Sequence, residues 1–315
     1  MVRRVRGLAL VVALFCLTAQ RASAICWFWE DCTYAQTRYP IVLAHGMAGF
    51  STLLGVIDYF FGIPGDLRDY GGNVHVTSVS SFNSPELRGE QLLRQALQIR
   101  AITGKAKLNF IGHSHGGFDV RYVCAVRPDI CASVTGVGSP TKGVPIADFL
   151  RANVLNGSFT ETVIGVLGDA LGTIIGLLSG RSNPQDTVTA IKSISTSGAA
   201  AFNSRYPQGV PSTACGNGSP VVNGVRYYSW SGTGVLTNSL DSTDTAMAIA
   251  WLFNTEPNDG FVGRCSSHLG YVLRDNYNMN HPDEVNQVLG LVSILETNPK
   301  SVFRAHANRL KNLGL

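Results

Sequence analysis

The stretch most clearly suited to catalysis is Gly112-His113-Ser114-His115-Gly116, a serine set between two histidines and two glycines. It matches the pattern G-x-S-x-G, whose glycines allow a strained turn that exposes the serine hydroxyl. The short apolar run 107–111 before it predicts a strand, and apolar residues at helical spacing over 117–126 predict a helix. This strand–turn–helix context indicates that Ser114 is a nucleophile.

A second motif supplies hydrogen-bond donors for the same chemistry. Residues 39–44 predict a strand that leads into His45-Gly46-Met47. Acyl transfer needs N–H groups aimed at the oxygen that becomes negative. In α/β-hydrolases one donor is the backbone N–H after the nucleophile, here His115, and the other comes from an early loop that often carries His-Gly. We therefore expect the backbone N–H groups of Met47 and His115 to form an oxyanion hole.

The N-terminus predicts export. Three arginines precede the apolar run 8–17, and the small residues 22–24 form a cleavage site, so residues 1–24 are interpreted as a signal peptide. The run is too short to span a bilayer. This segment contains four of the 25 basic residues and none of the 21 acidic ones. The remainder is balanced in charge, with scattered basic residues, which argues against nucleic-acid binding.

Residues 25–315 are long enough for one large domain. Strand-like apolar runs alternate with helical patterns, which predicts an α/β domain with a mostly parallel central sheet and helices on both faces. Six cysteines remain after cleavage, which allows 15 pairings. A Cys26–Cys32 bridge would close a small loop. Cys124 and Cys131 could not bridge on one helix, but Pro128 is expected to end that helix, so a disulfide and two buried thiols both remain open.

The chain resembles the secreted, calcium-dependent bacterial triacylglycerol lipases of the Pseudomonas/Burkholderia type. The resemblance rests on seven segments: 39–47 (YPIVLAHGM), 88–93 (RGEQLL), 111–117 (IGHSHGG), 227–232 (YYSWSG), 258–260 (NDG), 265–270 (CSSHLG) and 279–287 (MNHPDEVNQ). It implies an α/β-hydrolase fold with an amphipathic helical lid.

The remaining catalytic residues follow partly from chain order, which is serine, acid, histidine in this fold. Of the downstream histidines, His306 is expected on an exposed helix face, whereas His281 lies in a polar loop just before Pro282, where a base can reach the serine. The resemblance also selects His281. It selects Asp259, in a turn before Gly260, as the acid; Asp275 is the nearest competitor and is interpreted as a surface charge. The histidines beside Ser114 are expected to pack or hydrogen-bond locally.

The resemblance implies a structural Ca²⁺ and a disulfide. The Ca²⁺ ligands would be the carboxylates of Asp241 and Asp283 and the backbone carbonyls of Gln287 and Leu291. The disulfide would join Cys215 to Cys265. Carbonyls four residues apart are bonded internally in a regular helix, so the backbone should be irregular there. Close relatives also need a membrane-anchored periplasmic foldase.

An apolar stripe at helical spacing lies within residues 149–182, and its other side is rich in glycine. A buried core helix is one interpretation. The other is a lid whose apolar face covers the active site and meets lipid when it opens. The sequence thus predicts a secreted lipase that cleaves long-chain triacylglycerols through an acyl-enzyme on Ser114. The alternatives are an esterase for shorter or polymeric esters and a catalytically silent lipid-binding hydrolase fold.

Overall fold

A seven-stranded sheet forms the centre of the structure, a computed structural model that describes residues 31–49, 52–53, 57–154, 183 and 186–315. Its strands are β1 (Ile41–Ala44), β4 (Val74–Val76), β5 (Leu108–His113), β6 (Cys131–Val137), β7 (Val221–Val222), β8 (Val225–Gly232) and β9 (Tyr271–Tyr277). The spatial order is β4-β1-β5-β6-β8-β7, and β9 also pairs with β8. Only β7 runs antiparallel to its neighbour in this sheet. A separate antiparallel pair joins β2 (Thr52–Leu53) and β3 (Ile57–Asp58).

Helices connect the strands and cover both faces of the sheet. They are α1 (Ile63–Asp69), α2 (Pro85–Thr103), α3 (Gly116–Val126), α4 (Pro145–Val154), α5 (Thr187–Ile194), α6 (Thr196–Arg205), α7 (Thr243–Trp251) and α8 (Pro299–Asn312). The predicted parallel α/β architecture is confirmed. Among the described residues, no helix is both long and apolar enough to cross a membrane. The predicted signal peptide and residues 155–182 of the predicted lid lie outside the described residues.

Strand β1 shows how the sheet separates two apolar layers. Its four residues are all buried, and alternate side chains point to opposite faces. Ile41 and Leu43 join a cluster under α1 and α8, whereas Val42 and Ala44 join a cluster under α2 and α3. A strand covered on both sides must be apolar throughout, which explains the continuous hydrophobic run that predicted it.

Local capping fixes the ends of α2. Ser84 precedes Pro85 at the first helical position and accepts a hydrogen bond from the Leu87 N–H at 3.2 Å. The helix stops at Gly104, whose φ of 67° is left-handed and suits glycine. The nineteen residues between these signals bury one face against the sheet and α3. This position of α2 brings Arg88 against the loops that follow β1 and β4.

Two disulfides stabilise the connections around the sheet. Helix α3 ends at Val126, and a short 3₁₀ turn at Pro128–Ile130 returns the chain so that Cys124 and Cys131 bridge with their Cα atoms 5.7 Å apart. The structure thus decides between the two possibilities that the sequence left open. Cys215 is joined to Cys265, as the family resemblance implied. Cys26 lies outside the described residues, so its pairing with Cys32 stays a prediction.

A buried ion pair ties α2, α3 and two loops together. The Arg88 guanidinium donates to the Asp119 carboxylate at 2.9 and 2.7 Å, and both side chains are fully buried. It also donates to the backbone carbonyls of His45, Ser80 and Ser81, which follow β1 and β4. Burial alone would raise the pKa of Asp119, but the charges and hydrogen bonds of Arg88 and His115 together outweigh burial, and the pKa is lowered. Arg88 therefore holds the loop of His45 against the helix that follows Ser114.

Replacing Arg88 by methionine should destabilise the fold strongly. Arg88→Met leaves the Asp119 carboxylate buried without its counter-ion, which costs about 3–5 kcal/mol. The free energy of unfolding in urea measures this loss. The double variant Arg88→Met/Asp119→Leu should recover most of it, because no buried charge remains. Arg127→Met, which breaks an exposed ion pair with Asp129, should cost less than about 1 kcal/mol. Equal losses at the two arginines would contradict this role of Arg88.

Candidate active site

Ser114 occupies a tight turn between β5 and α3. Its φ is 55°, in the left-handed region that non-glycine residues rarely adopt, and its N–H donates to the Val137 carbonyl at 2.9 Å. A Cβ on Gly112 would lie 2.2 Å from the Gly116 oxygen, and one on Gly116 would lie 2.4 Å from the Ala44 oxygen. Only glycine fits at either position, so these two residues permit the close backbone approach that the turn at Ser114 requires.

The two predicted oxyanion donors flank this turn. His115 lies at the N-terminus of α3, and Met47 follows Gly46 in the loop after β1. Neither backbone N–H is donated to an acceptor within the described part of the chain. A Cβ on Gly46 would lie 2.7 Å from the Ser114 Cβ and 3.2 Å from its Oγ, so this loop passes directly against the nucleophile. The arrangement leaves both N–H groups available to a substrate oxygen beside Ser114.

Asp259 and His281 are brought together as an acid–base pair. His281 Nδ1 lies 2.7 Å from Asp259 Oδ2, and the His281 N–H donates to the Asp259 carbonyl at 2.8 Å. Asp259 is fully buried, and its other oxygen accepts the N–H groups of Phe261 and Val262 at 2.8 and 2.6 Å. These bonds hold the carboxylate in place, so that Nδ1–H donates to it and Nε2 is left as the basic nitrogen.

The competing residues Asp275 and His268 form a different cluster. Asp275 accepts from Arg264 at 2.8 Å, and its Oδ2 lies 3.0 Å from His268 Nε2. His268 Nδ1 lies 3.1 Å from the Gly216 carbonyl, so both ring nitrogens are engaged near the Cys215–Cys265 disulfide. Asp275 is thus a partly buried ion-pair residue rather than a solvated surface charge, because β9 places it against the loop of Arg264.

The expectation for His306 was wrong. This residue lies on α8, but it is only 1% exposed because it faces the sheet, with Nε2 at 2.9 Å from Thr135 Oγ1. Burial, reinforced by Arg309, lowers the pKa of His306 to about 3. The neutral imidazole of His306 donates a hydrogen bond between α8 and the sheet, so the role of this residue is structural. The helical pattern around it did not reveal which face is buried, because Arg304 and Arg309 flank the histidine.

Two residues that sequence reasoning missed lie beside the catalytic pair. Glu284 is buried; its Oε1 accepts the Gly232 N–H at 2.5 Å, and its Oε2 lies 3.5 Å from His113 Nε2. Burial and then Asp259 raise the pKa of Glu284 well above its usual range. Tyr59 lies on the other side of His113, with its oxygen 2.7 Å from Nδ1. The position of Glu284 three residues after His281 was the one available signal.

The histidines beside Ser114 are both held by local hydrogen bonds, as expected. His113 contacts Tyr59 and the His281 carbonyl, and His115 Nε2 lies 2.8 Å from Ser193 Oγ. His113, His281 and Glu284 place possible metal-binding atoms within 4.8 Å of one another. His281 Nδ1 is held by Asp259 and both ring nitrogens of His113 are hydrogen-bonded, so we assign this cluster to positioning rather than to metal binding.

Asp241 and Asp283 lie together near the loop of His281. Each has one buried carboxylate oxygen, Oδ2 and Oδ1 respectively, with no hydrogen-bond partner among the described residues. Burial, with smaller contributions from the nearby carboxylates of Asp241 and Asp244, raises the pKa of Asp283 to about 7 against two hydrogen bonds that lower it. Buried carboxylate oxygens that repel one another fit a cation with oxygen ligands.

The backbone after Asp283 has the predicted irregularity. A 3₁₀ turn over Asp283–Val285 is followed by left-handed φ values at Asn286 (65°), Leu289 (54°) and Gly290 (81°). Within the described residues, no N–H donates to the carbonyls of Gln287 or Leu291. These carbonyl oxygens are therefore not committed to a helix and can act as ligands.

Comparisons with known proteins agree with this geometry. A family model for the alpha/beta hydrolase fold matches residues 39–284. The chain is 53% identical over 283 residues to a triacylglycerol lipase of Vibrio cholerae serotype O1, covering 90% of each chain. It is 41% identical to a triacylglycerol lipase of Pseudomonas fragi, covering 89% of this chain and 98% of that one. The fold is also similar to that of a Bacillus licheniformis lipase in its mature form, with a TM-score of 0.60, 17% identity and coverage of 87% and 92%.

Proposed function

The chain belongs to the bacterial triacylglycerol lipases, and we propose that it hydrolyses long-chain acylglycerol esters through a triad of Ser114, His281 and Asp259. The observation that carries this proposal is the 2.7 Å contact between His281 Nδ1 and Asp259 Oδ2. Ser114 adopts a left-handed turn, and the ring of its neighbour His113 lies 4.5 Å from the His281 ring, centroid to centroid. The other lines of support are the loop of Met47 packed against Ser114 and relatives that are named triacylglycerol lipases.

The mechanism follows from these positions. His281 Nε2 takes the Ser114 proton while Oγ attacks the ester carbonyl carbon, and Asp259 stabilises the resulting imidazolium. The carbonyl oxygen becomes an oxyanion and accepts hydrogen bonds from the Met47 and His115 N–H groups. Collapse expels the alcohol, which takes the proton from His281 and leaves an acyl-enzyme. Water activated by His281 then attacks the acyl group and releases the fatty acid and Ser114.

Two alternative functions, an esterase and a catalytically silent lipid-binding protein, differ from a lipase in their activity on emulsified and dissolved esters. An esterase for shorter or polymeric esters would use the same residues but would not prefer an emulsion to dissolved ester. A catalytically silent lipid-binding fold would have no reason to retain the buried Asp259 hydrogen-bonded to His281. The helix α4 reaches Val154 within the region predicted as a lid. A lid over 149–182 with an apolar inner face remains part of the proposal for long-chain substrates.

We propose that Asp241, Asp283 and the carbonyls of Gln287 and Leu291 bind Ca²⁺. Support comes from the two buried carboxylate oxygens without partners and the two uncommitted carbonyls. The ion would supply positive charge that joins the Asp241 segment to the loop that carries His281. Its role is structural, since Asp283 lies two residues beyond the catalytic base rather than beside Ser114.

We also propose secretion through the periplasm with help from a dedicated foldase. The Cys124–Cys131 and Cys215–Cys265 disulfides suit an oxidising compartment. The sheet depends on distant parallel pairings, such as Ser133 with Arg226, and these form slowly. A chain with an apolar lid segment exposed during this delay is prone to aggregate.

Loss of the nucleophile should abolish activity without unfolding the chain. Ser114→Ala should reduce kcat on emulsified triacylglycerol by about 10⁴-fold or more, and His281→Ala should lose a similar amount because the residues act as a unit. Hydrolysis rates with circular dichroism as the folding control measure this. Near-normal turnover by a folded Ser114→Ala variant would exclude a serine hydrolase.

Calcium removal should lower the melting temperature more at pH 8 than at pH 5. Without the ion, the pKa of Asp283 is about 7 in the folded chain against 3.8 ordinarily, so the folded state binds a proton that the unfolded state has lost. Stability of the calcium-free chain therefore falls as pH rises through this window, by about 4 kcal/mol at most. Bound Ca²⁺ removes this penalty. Melting with and without EGTA at both pH values measures the difference.

Two variants control the calcium experiment. Asp241→Ala should lower the melting temperature and make it insensitive to EGTA. Asp186→Ala removes an exposed helix cap, so it should cost about 1 kcal/mol and retain the EGTA response. An EGTA response that persists in Asp241→Ala would exclude the proposed ligands.

The mature chain expressed alone should accumulate as inactive or aggregated material. Co-expression with the cognate foldase should raise the yield of active enzyme without altering its specific activity once folded. The measurement is soluble yield and active-site titration of Ser114 in both preparations. Equal yields of active enzyme would show that no foldase is needed.

A further inference from the structure

A chain of hydrogen bonds crosses behind the nucleophile from the oxyanion loop to the catalytic histidine. The Gly46 N–H donates to the Tyr59 oxygen at 3.0 Å, and that oxygen lies 2.7 Å from His113 Nδ1. His113 Nε2 lies 3.0 Å from the backbone carbonyl of His281. His113 is 2% exposed, so the central ring of this chain is shielded from water, whereas Tyr59 is partly exposed. Its two ends belong to the loop of Met47 and to the base itself.

The direction of each hydrogen bond follows from its partners. The His281 carbonyl can only accept, so His113 Nε2 must carry the hydrogen. Burial, and then the charge of His281, lower the pKa of His113, which keeps the ring neutral and makes Nδ1 an acceptor. Tyr59 therefore donates its hydroxyl hydrogen to Nδ1, while its oxygen accepts from Gly46. Burial raises the pKa of Tyr59, so this hydroxyl stays protonated.

This arrangement excludes His113 as a second base. Both of its ring nitrogens are engaged, and neither is available to a substrate proton. The ring instead stacks against His281 with centroids 4.5 Å apart, and Tyr59 packs against it with centroids at 5.7 Å. Gly46 lies in contact with the Ser114 side chain, where any larger residue would clash with both Ser114 and Tyr59. The chain thus spans the nucleophile from one side to the other.

We propose that Tyr59 and His113 are positioning residues, a brace that sets the separation between the oxyanion donor on Met47 and the base His281 across Ser114. The proposal rests on the proposed function of these three residues. Neither brace residue needs to touch the reacting atoms. Each acts through a backbone group, Tyr59 through the Gly46 N–H and His113 through the His281 carbonyl.

Losing the brace should raise the free energy of the transition state. Both the oxyanion donors and the base act only when they reach the substrate and Ser114 simultaneously. A misplacement of about 1 Å at such a site can cost about 100-fold in rate. The ends of the brace are a backbone N–H and a backbone carbonyl that are bonded within the protein, so we expect little effect on ground-state binding of the acyl chain. Removing the brace should therefore lower kcat and leave KM nearly unchanged.

The test compares Tyr59→Phe with Tyr122→Phe on a soluble p-nitrophenyl ester in saturating calcium. Tyr122 donates one hydrogen bond to Glu90 at 2.6 Å on α2, away from Ser114, so each variant loses a tyrosine hydroxyl contact. Tyr59→Phe should lower kcat about 10- to 100-fold with KM within about twofold, and Tyr122→Phe should stay within about twofold in both. Equal kcat values in the two variants would overturn the brace.

A second pair of variants tests the other half. His113→Gln places an amide N–H near the position of Nε2 and can still donate to the His281 carbonyl, whereas His113→Leu cannot. The kcat of His113→Gln should be at least about tenfold higher than that of His113→Leu, at similar melting temperatures. Equal losses would overturn the proposal, and this pair decides if Tyr59→Phe does not fold. Active-site titration with a phosphonate ester reports Ser114 in every variant, so an unreactive wild type would refute the triad itself rather than the brace.

Discussion

The Arg88–Asp119 ion pair joins the helices after β4 and β5 to the loop after β1, with both charges fully buried. A buried guanidinium is tolerated only when its donors are satisfied, and here the Asp119 carboxylate and the carbonyls of His45, Ser80 and Ser81 accept them. The His45 carbonyl belongs to the loop in which Gly46 packs against Ser114. Buried charge therefore helps to position the loop of Met47, the proposed oxyanion donor.

The proposed catalytic pair lies in a second buried polar network. Asp259 is fixed by backbone N–H groups, Glu284 lies close enough to feel its charge, and His113 connects the His281 backbone to Tyr59. Such networks specify one geometry because each unsatisfied group in a low-dielectric interior is costly. The brace and the ion pair of Arg88 meet at Gly46, whose N–H binds Tyr59 and whose carbonyl faces Arg88 at 3.3 Å.

The C-terminal loops lack regular structure and need other constraints. The Cys215–Cys265 disulfide closes a segment that contains both Asp241 and Asp259, and the proposed Ca²⁺ would connect Asp241 to Asp283. The disulfide constrains the segment that carries the acid of the proposed triad, and the ion would constrain the loop that carries its base.

The sequence by itself determined the elements whose cause is local. Gly112 and Gly116 permit the turn at Ser114. Pro128 ends α3, and the continuous apolar run of β1 predicts a strand covered on both faces. Only the tertiary structure decided that His306 faces the sheet and that Glu284 and Tyr59 adjoin His113. These contacts depend on which faces of elements distant in sequence pack together, and no local sequence pattern specifies that packing. Burial also changes the protonation of His306. On an exposed helix face its imidazole would titrate, whereas on the buried face of α8 it is held neutral.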